Sequence, residues 1–113
     1  MITDYTIITG LFNSDGTKLI KEPKAAKARI TGLLLDVYHI GGATLSECEG
    51  VYTNNNGVAM VEPSIKIEIT INSEYDNTTR ETILNFAKAV KNEFNQESIF
   101  FSYRENSNST LIF

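Results

Sequence analysis

Residues 64–71 read SIKIEITI, with Ile65, Ile67, Ile69 and Ile71 at every second position and Lys66, Glu68 and Thr70 between them. A period of two in β-branched residues is the mark of a pleated strand with one buried and one wetter face. The rest of the chain is read as what covers and pairs with that strand.

Taken in order, residues 5–12 (YTIITGLF) form a first strand, closed by the turn cluster Asn13-Ser14-Asp15-Gly16. Pro23 suits a first helical turn, where its missing N–H costs nothing. Over residues 24–38 the period changes, with Ala26, Ile30, Leu33, Leu34 and Val37 at helical spacing and Gly41-Gly42 as the stop. Residues 43–52 are a second strand, in which Glu47 and Glu49 share a face with Leu45 and Val51. Residues 53–57 (TNNNG) are a turn tip, returning through a short ribbon before Pro63 interrupts the pairing. Thr78 and Glu81 fit a capping box, followed by the stripe Ile83, Phe86, Ala87, Val90, Phe94 of a second helix. Residues 98–104 (SIFFSYR) are apolar on both faces, which predicts a last strand that is interior to the sheet or covered. The order βαββαβ predicts an α+β, ferredoxin-like sandwich, an antiparallel sheet with two helices on one face. Residues 1–113 make one domain, with 106–113 as its C-terminal tail.

Composition excludes several classes of function. Ten Lys and Arg stand against fourteen Asp and Glu, a formal charge of −4, which argues against DNA, RNA or an anionic membrane as partner. The basic run over residues 18–29 reads as a solvated helix face and its approach. Cys48 is the sole cysteine and His39 the sole histidine, so neither a disulfide nor a cysteine or histidine metal cluster is expected, and no cofactor. His39 reads as a cap on the last carbonyls of the first helix, and Cys48 as a packed thiol. The first ten residues lack a basic n-region and a long apolar run, and nothing approaches a membrane span; a cytoplasmic protein is expected.

Two segments resemble the PII-like signalling family. Gly42-Ala43-Thr44-Leu45-Ser46-Glu47-Cys48-Glu49-Gly50 is similar to that family's second strand, where a Gly-x-Thr-x-Thr/Ser-Glu-x-x-Gly phrase leads into a protruding loop. Pro63-Ser64-Ile65-Lys66-Ile67-Glu68-Ile69 resembles its third strand. The resemblance implies a small trimeric ferredoxin-like protein with sites for nucleotides or other small metabolites at subunit clefts. The chain departs from the family in two places. Residues 51–62 are short and asparagine-rich where the family carries a long loop, and Phe94-Asn95-Gln96-Glu97-Ser98 stands in place of a basic, glycine-rich phosphate-binding phrase. GVYTNNNG and FNQESI also resemble small uncharacterised proteins of phages and low-GC bacteria.

No catalytic constellation is legible, so a non-catalytic binding or regulatory protein is the leading expectation. It would recognise a small ligand at subunit clefts, or a protein partner through residues 51–62. The residues expected to carry recognition are Tyr52, Asn54, Asn55 and Asn56 at the loop, with Glu47, Glu49 and Arg104. Phe100, Tyr103 and the terminal Leu-Ile-Phe supply more apolar surface than one open sheet face needs, which predicts a homo-oligomer, a trimer by the resemblance. Two alternatives remain open. One is a phage or prophage accessory factor, an acidic inhibitor or a sponge for a signalling nucleotide. The other is a small enzyme using strand glutamates among Glu47, Glu49, Glu62 and Glu68.

Overall fold

The computed structural model describes residues 2–13, 15–37, 40–74 and 77–105. Six elements follow one another: β1 (Ile2–Gly10), α1 (Pro23–Leu35), β2 (Ala43–Thr53), β3 (Ala59–Asn72), α2 (Arg80–Glu93) and β4 (Phe100–Glu105). The strands form one antiparallel sheet in the order β2-β3-β1-β4. This is the expected ferredoxin-like arrangement, and the isoleucine strand lies inside it.

Ile65, Ile67 and Ile69 are fully buried and Ile71 nearly so. The register sets Thr9 opposite Ile65, Ile7 opposite Ile67 and Tyr5 opposite Ile69, so β1 and β3 present one continuous apolar face. Both helices cover it, α1 with Ala26, Ile30 and Leu34, and α2 with Ile83, Phe86, Ala87 and Val90, while Phe94 closes the end. Each fully buried isoleucine or phenylalanine contributes roughly 1.5–3 kcal/mol, which makes this face the main source of cohesion. The helices are also tied at their surfaces. Arg29 grips Glu93 with two bonds, Nε to Oε1 at 2.6 Å and Nη2 to Oε2 at 3.2 Å. Accepting those bonds holds the Glu93 carboxyl below the usual carboxylate range.

Local details depart from the sequence reading. α1 stops at Leu35, because the amides of Asp36 and Val37 turn back to the carbonyls of Leu33 and Leu34 and tighten the last turn. The expected extension through Tyr38, and the expected cap by His39, lie outside the described residues. The cap of α2 is Thr79, not Thr78: its Oγ1 accepts from the Thr82 amide at 3.3 Å. Glu81 then falls one position too early for a capping box. Pro63 does not interrupt β3. Its carbonyl accepts from the Leu11 amide on the side where β1 has already ended, so its missing N–H falls on that side and the pairing with Glu49 in β2 continues. β4 is an edge strand, not an interior one, with Phe100 53% and Tyr103 45% exposed. The tail 106–113 lies outside the described residues.

One feature of length positions the site. β1 ends where Gly10 meets Ser64, while β2 and β3 stay paired as far as Thr53 and Ala59. The far half of that hairpin therefore projects as a two-stranded ribbon, exposing Val51, Val58 and Val61. Its tip is closed by Asn54, whose Oδ1 accepts from the amides of Asn56 and Val58, and by Gly57 at φ 77°.

Candidate functional site

Where β1 stops and the ribbon goes on, the face of the sheet opposite the helices opens into a cleft of about 710 Å³. Ile8 and Gly10 come from β1, Gly50 and Tyr52 from β2, Glu62 and Ser64 from β3, and Phe100 from β4. Alternation explains why these residues meet. Gly10 opposes Ser64, Ser64 opposes Cys48 and Glu62 opposes Gly50, and opposed residues of an antiparallel pair share a face.

The hollow exists because its floor is built from Gly10, Gly50 and Ser64. A Cβ on Gly10 would sit 2.4 Å from Glu62 Oε1, and one on Gly50 would sit 3.1 Å from Ser64 Oγ. Only bare backbone at position 10 lets the Glu62 carboxylate lie across β1. There Oε2 accepts the Phe12 amide at 3.3 Å, and the buried Ser64 hydroxyl donates to the Glu62 carbonyl at 3.3 Å. The other wall follows α2. Asn95 takes a left-handed φ of 49°, its amide bonds the Asn92 carbonyl, and the Gln96 amide bonds that of Lys91. This is a Schellman stop, which fixes Gln96 in place. Among the described residues the cleft lining holds two carboxylates, Glu62 and Glu97, and no lysine or arginine.

Of the residues expected to carry recognition, Tyr52 lines the cleft. Asn54 is used up in its own turn, and Asn55 and Asn56 stand exposed at the tip, away from the cleft lining. Glu47 lies on the helix-side face and pairs with Lys27 at 3.3 Å, and Glu49 shares that face. Arg104 sits on the edge strand opposite Asp4, outside the cleft lining. The four strand glutamates do not converge. Glu62 and Glu68 occupy the open face, where Glu68 meets Lys66 at 3.4 Å, while Glu47 and Glu49 are on the other. Sequence reasoning missed Gly10, Gly50, Ser64 and Gln96. A usable signal was present in the two glycines, each inside an otherwise β-rich run. Among the described residues no three His, Cys, Asp or Glu side chains converge as a metal set would. No described helix is long and apolar enough to cross a membrane.

No family model and no curated protein matches the sequence. Solved structures do match. A phage SAM lyase in its apo state superposes with a TM-score of 0.69 at 22% identity, over 90% of this chain and 78% of that one. The phage SAM lyase in complex with S-methyl-5'-thioadenosine gives 0.64 at 21%, over 92% and 81%. The GlnK–ATP complex of B. subtilis gives 0.57 at 17%, over 91% and 81%. The fold is the PII-like one. That agrees with the resemblance carried by the second and third strands, and the phage protein agrees with the other. The expectation of a non-catalytic chain is corrected here. A lyase is built on this same arrangement of strands and helices, so the lack of a familiar nucleophile–base constellation on this fold does not argue against catalysis.

Proposed function

We propose that this chain is a lyase that cleaves S-adenosylmethionine (SAM) to S-methyl-5'-thioadenosine, holding it in the cleft around Glu62. The observation that carries the reading is the charge of that cleft. Two structural neighbours bear adenosine compounds, S-methyl-5'-thioadenosine in one and ATP in the other. A polyphosphate needs cationic side chains or a ring of amide donors. The described lining of this cleft offers Glu62 and Glu97 and no lysine or arginine, which repels a polyanion and attracts a sulfonium. Tyr52 and Phe100 flank the cleft with aromatic surface, which suits both an adenine ring and a cation.

The chemistry asks little of the protein. The bond between the sulfonium sulfur and the amino-acid arm breaks with its electron pair going to sulfur, so the cation becomes a neutral thioether. The carbon left behind is satisfied within the same fragment, by its own carboxylate closing a ring or by that carboxylate taking up a proton from the neighbouring carbon. Neither route consumes water. A carboxylate beside the sulfonium favours the bound substrate more than the transition state, in which that charge disappears. Glu62 therefore serves binding and placement of the cationic arm, and its pinning to the Phe12 amide fixes where that arm lies. This is the strand-glutamate enzyme of the sequence reading, with the working glutamate on the open face. A phage accessory role is compatible with it, and self-association as a trimer belongs to the same proposal, motivated by the exposed Val51, Val58, Val61 and Phe100.

Purified protein incubated with SAM is expected to release S-methyl-5'-thioadenosine without a methyl acceptor. Glu62→Gln should raise the KM for SAM and lower kcat/KM by about tenfold or more, with the smaller effect on kcat, while leaving the fold intact. Binding of SAM with no turnover would overturn the lyase reading, and an unchanged kcat/KM in the Gln variant would overturn the placement of SAM at Glu62. Analysis of the amino-acid fragment tells ring closure from proton loss.

A further inference from the structure

We infer that Gln96 is a specificity-determining residue of the cleft, and that its side-chain oxygen reads an N–H donor on the bound ligand. The inference rests on the cleft being the ligand site. A primary amide has two N–H groups and one carbonyl oxygen. Both Gln96 N–H groups are spent on main-chain carbonyls, one on Phe12 and one on Phe94, each at 2.9 Å. Carbonyls cannot donate, so the amide cannot be turned over without losing both bonds and setting oxygen against oxygen. What remains is Oε1, for which no described side chain or amide supplies a donor, on a residue that lines the cleft.

Rigidity makes this more than a spare acceptor. The Gln96 backbone is locked by the Schellman stop of α2. One residue, Phe12, ties the two walls together, its amide holding Glu62 and its carbonyl holding Gln96. The carboxylate and the amide oxygen are thereby fixed relative to each other before any ligand arrives, which lowers the ordering cost of binding. The phrase occupying the place of a phosphate-binding segment thus supplies an acceptor where a phosphate would need a donor.

An adenosylated amino acid carries two candidate donors, the 6-amino group of its purine and the ammonium of its arm. Two pairs of uncleavable probes separate them. S-methyl-5'-thioadenosine is compared with its 6-oxo analogue, and S-adenosylhomocysteine with its des-amino analogue, by calorimetry on wild type and Gln96→Met. In one pair, the wild type is expected to prefer the amino-bearing member by roughly three- to tenfold, and Gln96→Met to lose that preference. A merely structural Gln96 would weaken both members of each pair alike, and that result overturns the inference. So does a wild type that discriminates in neither pair, whatever the variant's folding. If neither S-methyl-5'-thioadenosine nor S-adenosylhomocysteine binds the wild type, the ligand site itself falls and takes this inference with it.

Discussion

Gly10 decides most at the scale of single residues, because its missing side chain is the space that the Glu62 carboxylate occupies. Gly10→Ala puts a methyl group into the far end of a flexible side chain, which can swing away, so the fold should survive. The carboxylate then leaves the Phe12 amide. We predict a variant whose thermal melt is close to wild type but whose SAM turnover falls at least tenfold, as expected when a positioning contact is lost. Wild-type turnover by Gly10→Ala would show that the placement of Glu62 does not matter. Little of this was legible beforehand. A glycine inside YTIITGLF signals no more than a bulge or a close approach, and only the register reveals that it lies opposite Ser64 and beneath Glu62. Tyr52 was found as an exposed aromatic next to a turn. Glu47 and Glu49 were read as able to converge with Glu62 and Glu68 once the two strands pair, whereas strand parity puts them on the helix side, away from Glu62.

Among the elements, the two strongest periodic signals were the most reliable. Alternation in β3 and the apolar stripe of α2 each encode one face, and burial follows them residue by residue. Ile67→Ala, in the middle of that buried face, should cost about 2–5 kcal/mol in chemical denaturation, since the sheet and both helices limit collapse of the cavity. Thr79→Ala should cost about 1 kcal/mol, and Thr78→Ala would have to cost more by loss of a cap for the original reading of the helix start to stand. The tie between Arg29 and Glu93 carries a pH dependence of definite sign. Glu93 titrates lower in the fold than the ordinary 4.5, so the stabilisation is complete above that value and is lost as pH falls through the depressed one. Both groups are solvated and the effect is small. The melting difference between wild type and Arg29→Met should be constant at neutral pH and close in acid. A difference that grows in acid would contradict the assignment. What periodicity does not encode is which strand lies at an edge. SIFFSYR is apolar enough for an interior, yet the topology leaves β4 paired with β1 alone.

For the molecule as a whole, the projecting ribbon and the exposed edge strand β4 leave apolar side chains at Val51, Val58, Val61 and Phe100 in water. Self-association is predicted to cover part of them. Sedimentation should give an oligomer, a trimer by the family resemblance, and Val51→Lys with Val61→Lys should shift it toward monomer; a wild-type monomer at micromolar concentration would remove this part of the account. The acidic balance of the chain was legible from composition alone, but its consequence was not, because what matters is that, among the described residues, the carboxylates Glu62 and Glu97 reach the cleft and lysine and arginine do not. The central claim is that this cleft takes a cationic adenosyl compound and not a polyphosphate such as the ATP of the GlnK complex. Its most direct test is a paired titration of one protein preparation with SAM and with ATP at the same ionic strength. The account predicts saturable binding of SAM and none of ATP; saturable binding of ATP, with SAM failing to compete, would contradict it.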